Sequence, residues 1–335
     1  MRLANPADEL YRHRPESHGG ASGWAERSYY LLAVEDIVVS AGRSVWSSGR
    51  ERTALACVAT PPALHAVRAV AGASPDGADD PLTESIAIEV LEPLRRLRIR
   101  ADDRRSPAAF DLTFEARTPA LIPTPNRISQ RGVVVTDYTN FFQSGRYSGW
   151  IAIGDRQIDV DRRAGFRDRG WGVRKHEGAP RRGLVLFCAC ELPAAVLHVG
   201  LYETARGERV RTFGWFAGED GGLAPIVSVE HDLRFEDGLL QGGGLKLRTE
   251  AGDAHLLEFE AGTRTFLRAV GYSADPAERQ PGAETRPLAD AGARRRLRGQ
   301  VDSACRFLLD GALEGHGFVE VGLGEHARYS PPEPS

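Results

Sequence analysis

The chain has 335 residues, and its composition of 41% hydrophobic and 27% charged residues is typical of a globular protein and excludes a largely disordered one. Its 43 basic and 46 acidic residues give a formal net charge of -3, so the overall charge does not indicate a nucleic-acid partner. No apolar run approaches the roughly 20 residues of a transmembrane helix, and the polar first ten residues predict no secretion signal.

The first half of the chain predicts a series of short strands. Residues 1–24 are polar and rich in His, Pro and Gly, which predicts an irregular arm. Apolar and polar residues alternate from Phe110 to Glu115, so this segment predicts a strand with one buried face. The segment Ile86 to Arg98 fits a strand broken at Pro93 about as well as a helix. Further strands are predicted at Tyr29 to Val34, Ile37 to Trp46, Thr53 to Ala59, Val133 to Tyr138, Tyr147 to Ile153 and Gln157 to Val160.

The second half continues the same pattern. Turn residues separate the predicted strands about every 8 to 12 positions, a rhythm that favours an all-β sandwich or barrel over βαβ units. The segment Ala274 to Arg294 is rich in Pro, Glu and Arg and predicts a long exposed loop or a short helix. The predicted strands are Leu184 to Cys190, Val196 to Tyr202, Val210 to Phe216, Ile226 to Glu230, Leu245 to Thr249, His255 to Glu260, Thr265 to Tyr272 and Gly317 to Leu323.

The length predicts two domains, because a domain averages about 150 residues. We expect two antiparallel β-barrels of similar size, since the strand pattern is the same in both halves. The predicted divisions are an irregular arm at 1–24, a first barrel at 25–163, a second barrel at 164–327 and a Pro-rich tail at 328–335.

Standard metal and nucleotide motifs are incomplete in this chain. The glycine-rich segment 242–246 does not have the Gly-Lys-Ser/Thr order of a phosphate loop. His176 would need a second His where Pro180 stands, in a helix that proline would break. Cys188 and Cys190 share one strand face without a second pair, so we expect buried core thiols. We therefore predict no metal or nucleotide cofactor, and the four cysteines without disulfide spacing predict a cytoplasmic protein.

Charged and aromatic residues are concentrated among glycines at residues 165–174, Gly-Phe-Arg-Asp-Arg-Gly-Trp-Gly-Val-Arg. If this segment is extended, the alternation of side chains places Phe166 and Asp168 on one face. The opposite face would carry Arg167, Arg169 and Trp171. Only one of the two sets can then face a ligand.

This motif, together with Gln143-Ser144-Gly145, Gly149-Trp150 and the Gly-His-Gly-Phe-Val-Glu sequence at 315–320, resembles the carotenoid 1,2-hydratase (hydroxyneurosporene synthase) and AttH-like superfamily, above all its uncharacterised bacterial branch. The resemblance implies tandem lipocalin-like barrels, with the motif opening the second one. It also aligns Asp168 with the acid that is thought to protonate an alkene in the hydratases. Phe166 stands where those enzymes have Tyr, and Arg169 stands where the uncharacterised branch has His.

Two interpretations of Asp168 follow. Asp168 is a proton donor in an apolar site, or it forms an ion pair with Arg174 or another motif arginine and stabilises the fold. Burial in an apolar site would raise the pKa of this carboxyl, whereas a neighbouring arginine would lower it. Arg167, Arg169 and Arg174 are therefore predicted to have structural or orienting roles.

The resemblance implies a cofactor-independent enzyme that protonates a double bond of a hydrophobic, isoprenoid- or polyene-like molecule, leading to hydration or cyclisation. Two alternatives remain: a pericyclase that relies on positioning alone, and a non-catalytic carrier of a hydrophobic metabolite. The predicted partner is this small molecule, with no nucleic acid, and the oligomeric state is left open. Aromatic side chains that could stabilise a cation and line the site are Trp171, Phe166, Tyr138, Phe142, Tyr147, Trp150 and Trp215.

Overall fold

The computed structural model describes residues 1–9, 23–46, 52–71, 84–130, 133–174, 183–218, 221–272, 280–288 and 299–330. In these ranges the chain consists of antiparallel strands and one short helix, α1 (Pro6–Glu9). This architecture confirms the predicted all-β, lipocalin-like fold class. The described residues form two compact units. No helix among them has the length and apolar character needed to cross a membrane.

Unit 1 comprises residues 1–59, 63–179 and 269–286 and contains a 13-stranded sheet. One face of this sheet, the core face, carries a large apolar cluster to which strands at both ends of the sheet contribute, so the sheet wraps around its core. We call the opposite face the outer face. The strands are β1 (Arg2–Leu3), β2 (Trp24–Val34), β3 (Ile37–Trp46), β4 (Arg52–Ala59), β5 (Ala63–Ala71), β6 (Ile86–Glu92), β7 (Arg96–Ala101), β8 (Ala108–Ala116), β9 (Leu121–Ile122), β10 (Asn126–Gln130), β11 (Val133–Ile153), β12 (Arg156–Arg174) and β19 (Gly282–Pro287).

Unit 2 comprises residues 60–62, 180–268 and 287–335 and contains a closed eight-stranded barrel. Leucine and valine side chains fill its interior, and Cys188, Cys190 and Cys305 lie among them as free thiols. The prediction of buried core thiols at Cys188 and Cys190 is thus confirmed. The strands are β13 (Leu184–Glu191), β14 (Ala195–Glu203), β15 (Arg209–Gly218), β16 (Leu223–Glu236), β17 (Leu239–Thr249), β18 (Ala254–Phe266), β20 (Gln300–Leu309) and β21 (Leu313–Leu323).

The motif lies in β12, which pairs with β11 along most of its length and with β2 on its other side. The predicted division between residues 163 and 164 falls inside this continuous strand, and the structure assigns the whole motif to unit 1. The sequence pattern misses this because β11 and β12 are each about twice as long as the turn rhythm predicts. A β-bulge between Tyr147 and Gly149 allows β11 to continue where the alternation of side chains is interrupted.

Four segments differ from their predicted form or are resolved between alternatives. Of the predicted strand Thr265 to Tyr272, only the first two residues are extended, as the end of β18, and residues 267–271 form turns. Residues 1–9 of the predicted irregular arm form β1 and α1, and β1 pairs with β9. The segment Ile86 to Arg98 forms two strands around Pro93, as one of the two alternatives predicted. Within Ala274 to Arg294, Gly282–Pro287 is a strand, β19, next to β5 instead of a loop or helix. His176 and Pro180 lie outside the described residues.

Candidate functional site

The two faces of the motif strand lie in different environments, as its alternation predicted. Arg167 pairs with Tyr30 of β2, and Tyr30 belongs to the apolar cluster on the core face of unit 1. Side chains two residues apart in a strand share a face, so Arg169 and Trp171 also point to the core face. Phe166 and Asp168 therefore lie on the outer face.

Aromatic side chains surround Asp168 on the outer face. In the ladder Asp168 stands between Phe142 of β11 and Tyr29 of β2, and side chains at directly opposite positions lie about 4.5 to 5.5 Å apart at Cβ. The rings of Phe142 and Phe166 stack with centroids 6.1 Å apart. Asp168 is half-buried, whereas Tyr29, Phe142 and Phe166 are buried.

Gly170 makes room for a fourth ring beside Asp168. A Cβ at residue 170 would overlap a ring carbon of Tyr138, so this position accepts only glycine while the Tyr138 ring lies across it. Tyr138 is itself buried. We refer to Tyr29, Tyr138, Phe142, Phe166 and Asp168 as the Asp168 face.

A cation and a further tyrosine lie next to the Asp168 face. The ring of Tyr272 is 5.5 Å from that of Tyr29. The guanidinium of Arg27 lies over two rings, 4.4 Å from the centroid of Trp46 and 5.3 Å from that of Tyr272. Sequence reasoning missed Arg27 and Tyr272, because no local spacing connects them to the motif. The site thus combines a carboxyl, tyrosine hydroxyls and a stacked cation.

On the core face, Arg167 forms a bidentate ion pair with a residue of the amino-terminal segment. Its Nη1 and Nη2 donate to the two carboxylate oxygens of Glu9 at 2.8 and 2.7 Å, and its Nε and Nη2 donate to Oε1 of Gln143. Both charged side chains are only 1% exposed. Burial alone would raise the pKa of Glu9, but the charge and hydrogen bonds of Arg167, together with Arg169 and the N–H of Leu94, outweigh burial and lower this pKa. Glu9 is therefore a buried carboxylate that is ionised near neutral pH.

The second core-face arginine, Arg169, bonds to Glu26 of β2. Burial raises the pKa of Glu26 to about 7, although Arg169 and Arg43 both favour its charged form. The guanidinium groups of Arg167 and Arg169 thus bind Glu9 and Glu26, on the face opposite Asp168. The side chain of Arg174, the other partner predicted for Asp168, lies outside the described residues.

The structure does not bring all the predicted aromatic residues to one site. Tyr138, Phe142 and Phe166 lie with Asp168, whereas Trp171 and Tyr147 lie on the core face. Trp150 is half-buried near the other end of β11, and Trp215 belongs to unit 2, where it stacks on His198. The expectation that they line one cavity needs this correction, because alternation within a strand sends neighbouring side chains to opposite faces.

Unit 2 contains a separate ionic cluster beside a cavity of about 1240 Å3. The carboxylate of Glu203 accepts bonds from Nε2 of His231 and Nε2 of His326, each at 3.0 Å, and from Arg209. Nδ1 of a neutral His231 must then accept, so the hydroxyl of Tyr329, 2.8 Å away, donates to it. This cluster attaches residues 328–330 of the predicted tail to the barrel, while 331–335 lie outside the described residues.

The described residues contain no group of three His, Cys, Asp or Glu side chains that could hold a metal ion. The Asp168 face and the two core-face pairs contribute carboxyl, phenol and guanidinium groups.

Comparison with known proteins assigns the chain to a family. A model described as a domain of unknown function, DUF7064, matches residues 5–280. The chain belongs to this family. No curated protein matches it. The DUF7064 match covers α1, the motif strand and most of both units, so the described site is built from family residues.

Solved structures resemble this DUF7064 protein in fold. A putative AttH from Nitrosomonas europaea has a TM-score of 0.58 at 13% identity, with 96% of this chain and 99% of that chain covered. Kievitone hydratase from Nectria haematococca has a TM-score of 0.54 at 12% identity, with 96% and 94% covered. These identities establish a shared fold only. The predicted resemblance to AttH-like proteins is thus confirmed as a likeness of fold.

Proposed function

We propose that this protein is a cofactor-independent enzyme that protonates a double bond of a hydrophobic small molecule, with Asp168 as the acid. The observation that carries the proposal is the position of this carboxyl between the side chains of Phe142 and Tyr29, beside buried Phe166. An aromatic wall accepts an apolar molecule and also stabilises positive charge through its ring quadrupoles, by roughly 0.5 to 2 kcal/mol per ring.

The reaction requires a proton donor and a nucleophile that attacks the carbocation. The proton of Asp168 forms the new C–H bond with the π electrons of the alkene, which leaves a carbocation. In hydration, water attacks that cation and the resulting oxonium ion returns a proton to the carboxylate of Asp168. In cyclisation, a second double bond of the same molecule attacks the cation, and the new carbocation loses a proton from an adjacent carbon to that carboxylate, which forms a double bond. Hydration and cyclisation thus share their first step, and the supply of water decides between them.

Two tyrosines on the Asp168 face compensate for the hydroxyl that Phe166 does not have. Tyr29 stands directly opposite Asp168, and Tyr138 lies across Gly170. Either phenol can hold a water molecule next to the cation, since its oxygen both donates and accepts hydrogen bonds. This arrangement supports hydration, and the fold shared with kievitone hydratase, whose name states a hydration reaction, supports it further. We propose an isoprenoid- or polyene-like substrate, because the wall is aromatic.

Deuterium incorporation tests this proposal without knowledge of the natural substrate. We expect the wild-type protein in D2O to transfer deuterium to members of a panel of linear isoprenoid alkenes and conjugated polyenes, measured by mass spectrometry. Asp168→Asn should lower the rate by about 10² to 10⁴, the usual contribution of a general acid. Asp159→Asn, an exposed aspartate on the same strand, is the matched control and should leave the rate unchanged.

Three outcomes would contradict the proposal. Full deuterium transfer by Asp168→Asn would indicate that another group is the acid. Conversion of a substrate to a cyclised product without deuterium would indicate a pericyclase that relies on positioning alone. Binding of polyenes by the wild-type protein without any incorporation or new product would indicate a carrier.

A further inference from the structure

The bonds around Glu9 form a complete binding site for a carboxylate. Its two oxygens accept from Nη1 and Nη2 of Arg167, and one of them also accepts from the backbone N–H of Leu94 at 3.0 Å. Paired guanidinium donors recognise a planar carboxylate with defined geometry. We call Arg167, Gln143 and the N–H of Leu94 the carboxylate cradle.

The strands hold every part of the cradle in place without help from Glu9. The amide nitrogen of Gln143 donates to the carbonyl oxygens of Leu94 and Thr118, which turns its Oε1 toward Arg167. The guanidinium of Arg167 lies over two rings, 5.2 Å from the centroid of Phe114 and 5.2 Å from that of Phe141. The donors are therefore organised before a carboxylate arrives.

Leu94 has an energetically unfavourable backbone conformation that places its N–H and carbonyl in the cradle. The N–H of Arg95 bonds to the carbonyl of Glu92, and Leu94 has φ of 61°, the pattern of a type II turn with Pro93 at its second position. Glycine is favoured at the third position, and a leucine there costs about 1 to 2 kcal/mol. This conformation directs both the N–H and the carbonyl of Leu94 to the cradle.

An apolar wall adjoins the cradle. Ala120, Ile122, Phe141 and Trp171 form a small cluster against which Leu94 packs. The carboxylate in the cradle belongs to a short segment that is attached by the two residue pairs between β1 and β9 and by a bond from Ala4 to Ala120. Such short attachments open at low cost compared with the sheet that carries the cradle.

We propose that the cradle is a binding site for small carboxylic acids with an apolar body, and that Glu9 occupies it as an internal ligand. The amino-terminal segment 1–9 is then a plug, and its release opens the core face of unit 1 to such acids. The site lies on the face opposite Asp168, so it does not depend on the chemistry proposed there.

Chemical rescue of Glu9→Ala tests the proposal in the full-length protein. The variant should have a lower melting temperature than the wild type, since Arg167 loses its counter-ion. Sodium butyrate should raise that melting temperature, because a ligand that binds only the folded state stabilises it. Butyramide, the neutral analogue, and sodium chloride at equal ionic strength should not raise it, and butyrate should have little effect on the wild type.

Two further results sharpen the test. Affinity for Glu9→Ala should increase about fourfold per methylene from acetate through butyrate to hexanoate, the increment expected for burial of a CH2 group. The double variant Glu9→Ala with Arg167→Met should not respond to carboxylates. Equal stabilisation by butyrate and butyramide, no stabilisation by either, or rescue that persists in the double variant would overturn the proposal.

Should Glu9→Ala fail to fold in buffer, its refolding yield provides the same test. The yield of soluble, folded protein after dilution from urea should increase in butyrate relative to butyramide. Equal yields in the two solutions would overturn the proposal.

Discussion

Both units consist of antiparallel strands, but they bury different kinds of side chain. The core face of unit 1 carries two carboxylates and their arginine partners, and both arginines come from the motif strand β12. The interior of unit 2 is built mainly from leucine and valine with three thiols, and its ionic cluster at Glu203 is joined to that apolar core through Tyr329. A buried charge is expensive unless it is paired. Unit 1 therefore buries paired charges beside its apolar cluster, whereas the apolar cluster of unit 2 contains thiols.

The largest decrease in the free energy of unfolding should follow from loss of a buried charge in unit 1. Arg167→Met removes the guanidinium that donates to Glu9 and to Oε1 of Gln143, and removal of one member of a buried pair costs about 3 to 5 kcal/mol. Urea denaturation measures this loss, and Glu9→Leu combined with Arg167→Met should restore much of it. Arg98→Met is the control, because its pair with Asp111 is exposed and should contribute at most about 1 kcal/mol. A loss below about 1 kcal/mol for Arg167→Met would contradict a buried pair.

The pH dependence of stability should also originate in unit 1. Burial raises the pKa of Glu26 to about 7, above the ordinary 4.5 of the unfolded chain, so folding favours its protonated form. This contribution is fully present below about pH 4.5 and is lost as the pH rises through 7. The difference in pKa corresponds to about 3 kcal/mol.

Denaturation midpoints at several pH values measure this dependence. Wild-type stability should decrease between about pH 5 and pH 8 through this group, and Glu26→Gln should not show that component. Glu35→Gln, an exposed glutamate on the turn after β2, is the matched control. Parallel pH profiles of the wild type and Glu26→Gln would show that the pKa of Glu26 is not raised.

In unit 2 a single polar atom should be enough to disturb the apolar interior. Cys188→Ser replaces a buried thiol by a hydroxyl among leucine and valine side chains, where a buried polar group without a partner costs about 1 to 3 kcal/mol. Burial raises the pKa of this thiol, so it should also resist iodoacetamide in the native protein. Cys188→Ala controls for the loss of the sulfur. Equal stabilities of the Ser and Ala variants would indicate that the interior tolerates polar groups.

The smallest decrease in the free energy of unfolding should follow from a substitution in the ionic cluster of unit 2. Tyr329→Phe removes the hydroxyl that bonds to His231 and to the N–H of Leu233. A typical net value for such a bond is about 0.5 to 1.5 kcal/mol. Hydrogen exchange of residues 324–330 should increase more than that of the strands of the barrel. Uniform exchange throughout unit 2 would indicate that this cluster is part of the global fold.

The all-β class was predictable from the sequence because it follows from local alternation and from turn residues, whereas the lipocalin-like fold was implied by the family resemblance of the motif. The two faces of residues 166–171 were predictable for the same reason, since period-two alternation needs no knowledge of partners. The partners themselves were not predictable. Glu9 lies 158 residues from Arg167, and Glu26 lies 143 residues from Arg169, so the pairing depends on the order of strands in the sheet. The role of Arg27 beside the Asp168 face was missed because a stacked cation has no sequence spacing.

The strand β19 belongs to the sheet of unit 1, although it lies in the sequence between strands of unit 2. The polypeptide forms six of the eight barrel strands of unit 2, β13 to β18, before it forms β19 beside β5, where Thr285 bonds to His65 and Glu284 to Arg68. It then returns to the barrel for β20 and β21. If the chain were divided at one point between β12 and β13, β5 would lose β19 as its neighbour. An unpaired strand edge can then associate with other chains. The two units therefore alternate along the sequence, and a transfer of unit 1 to another protein would have to move its three chain segments together.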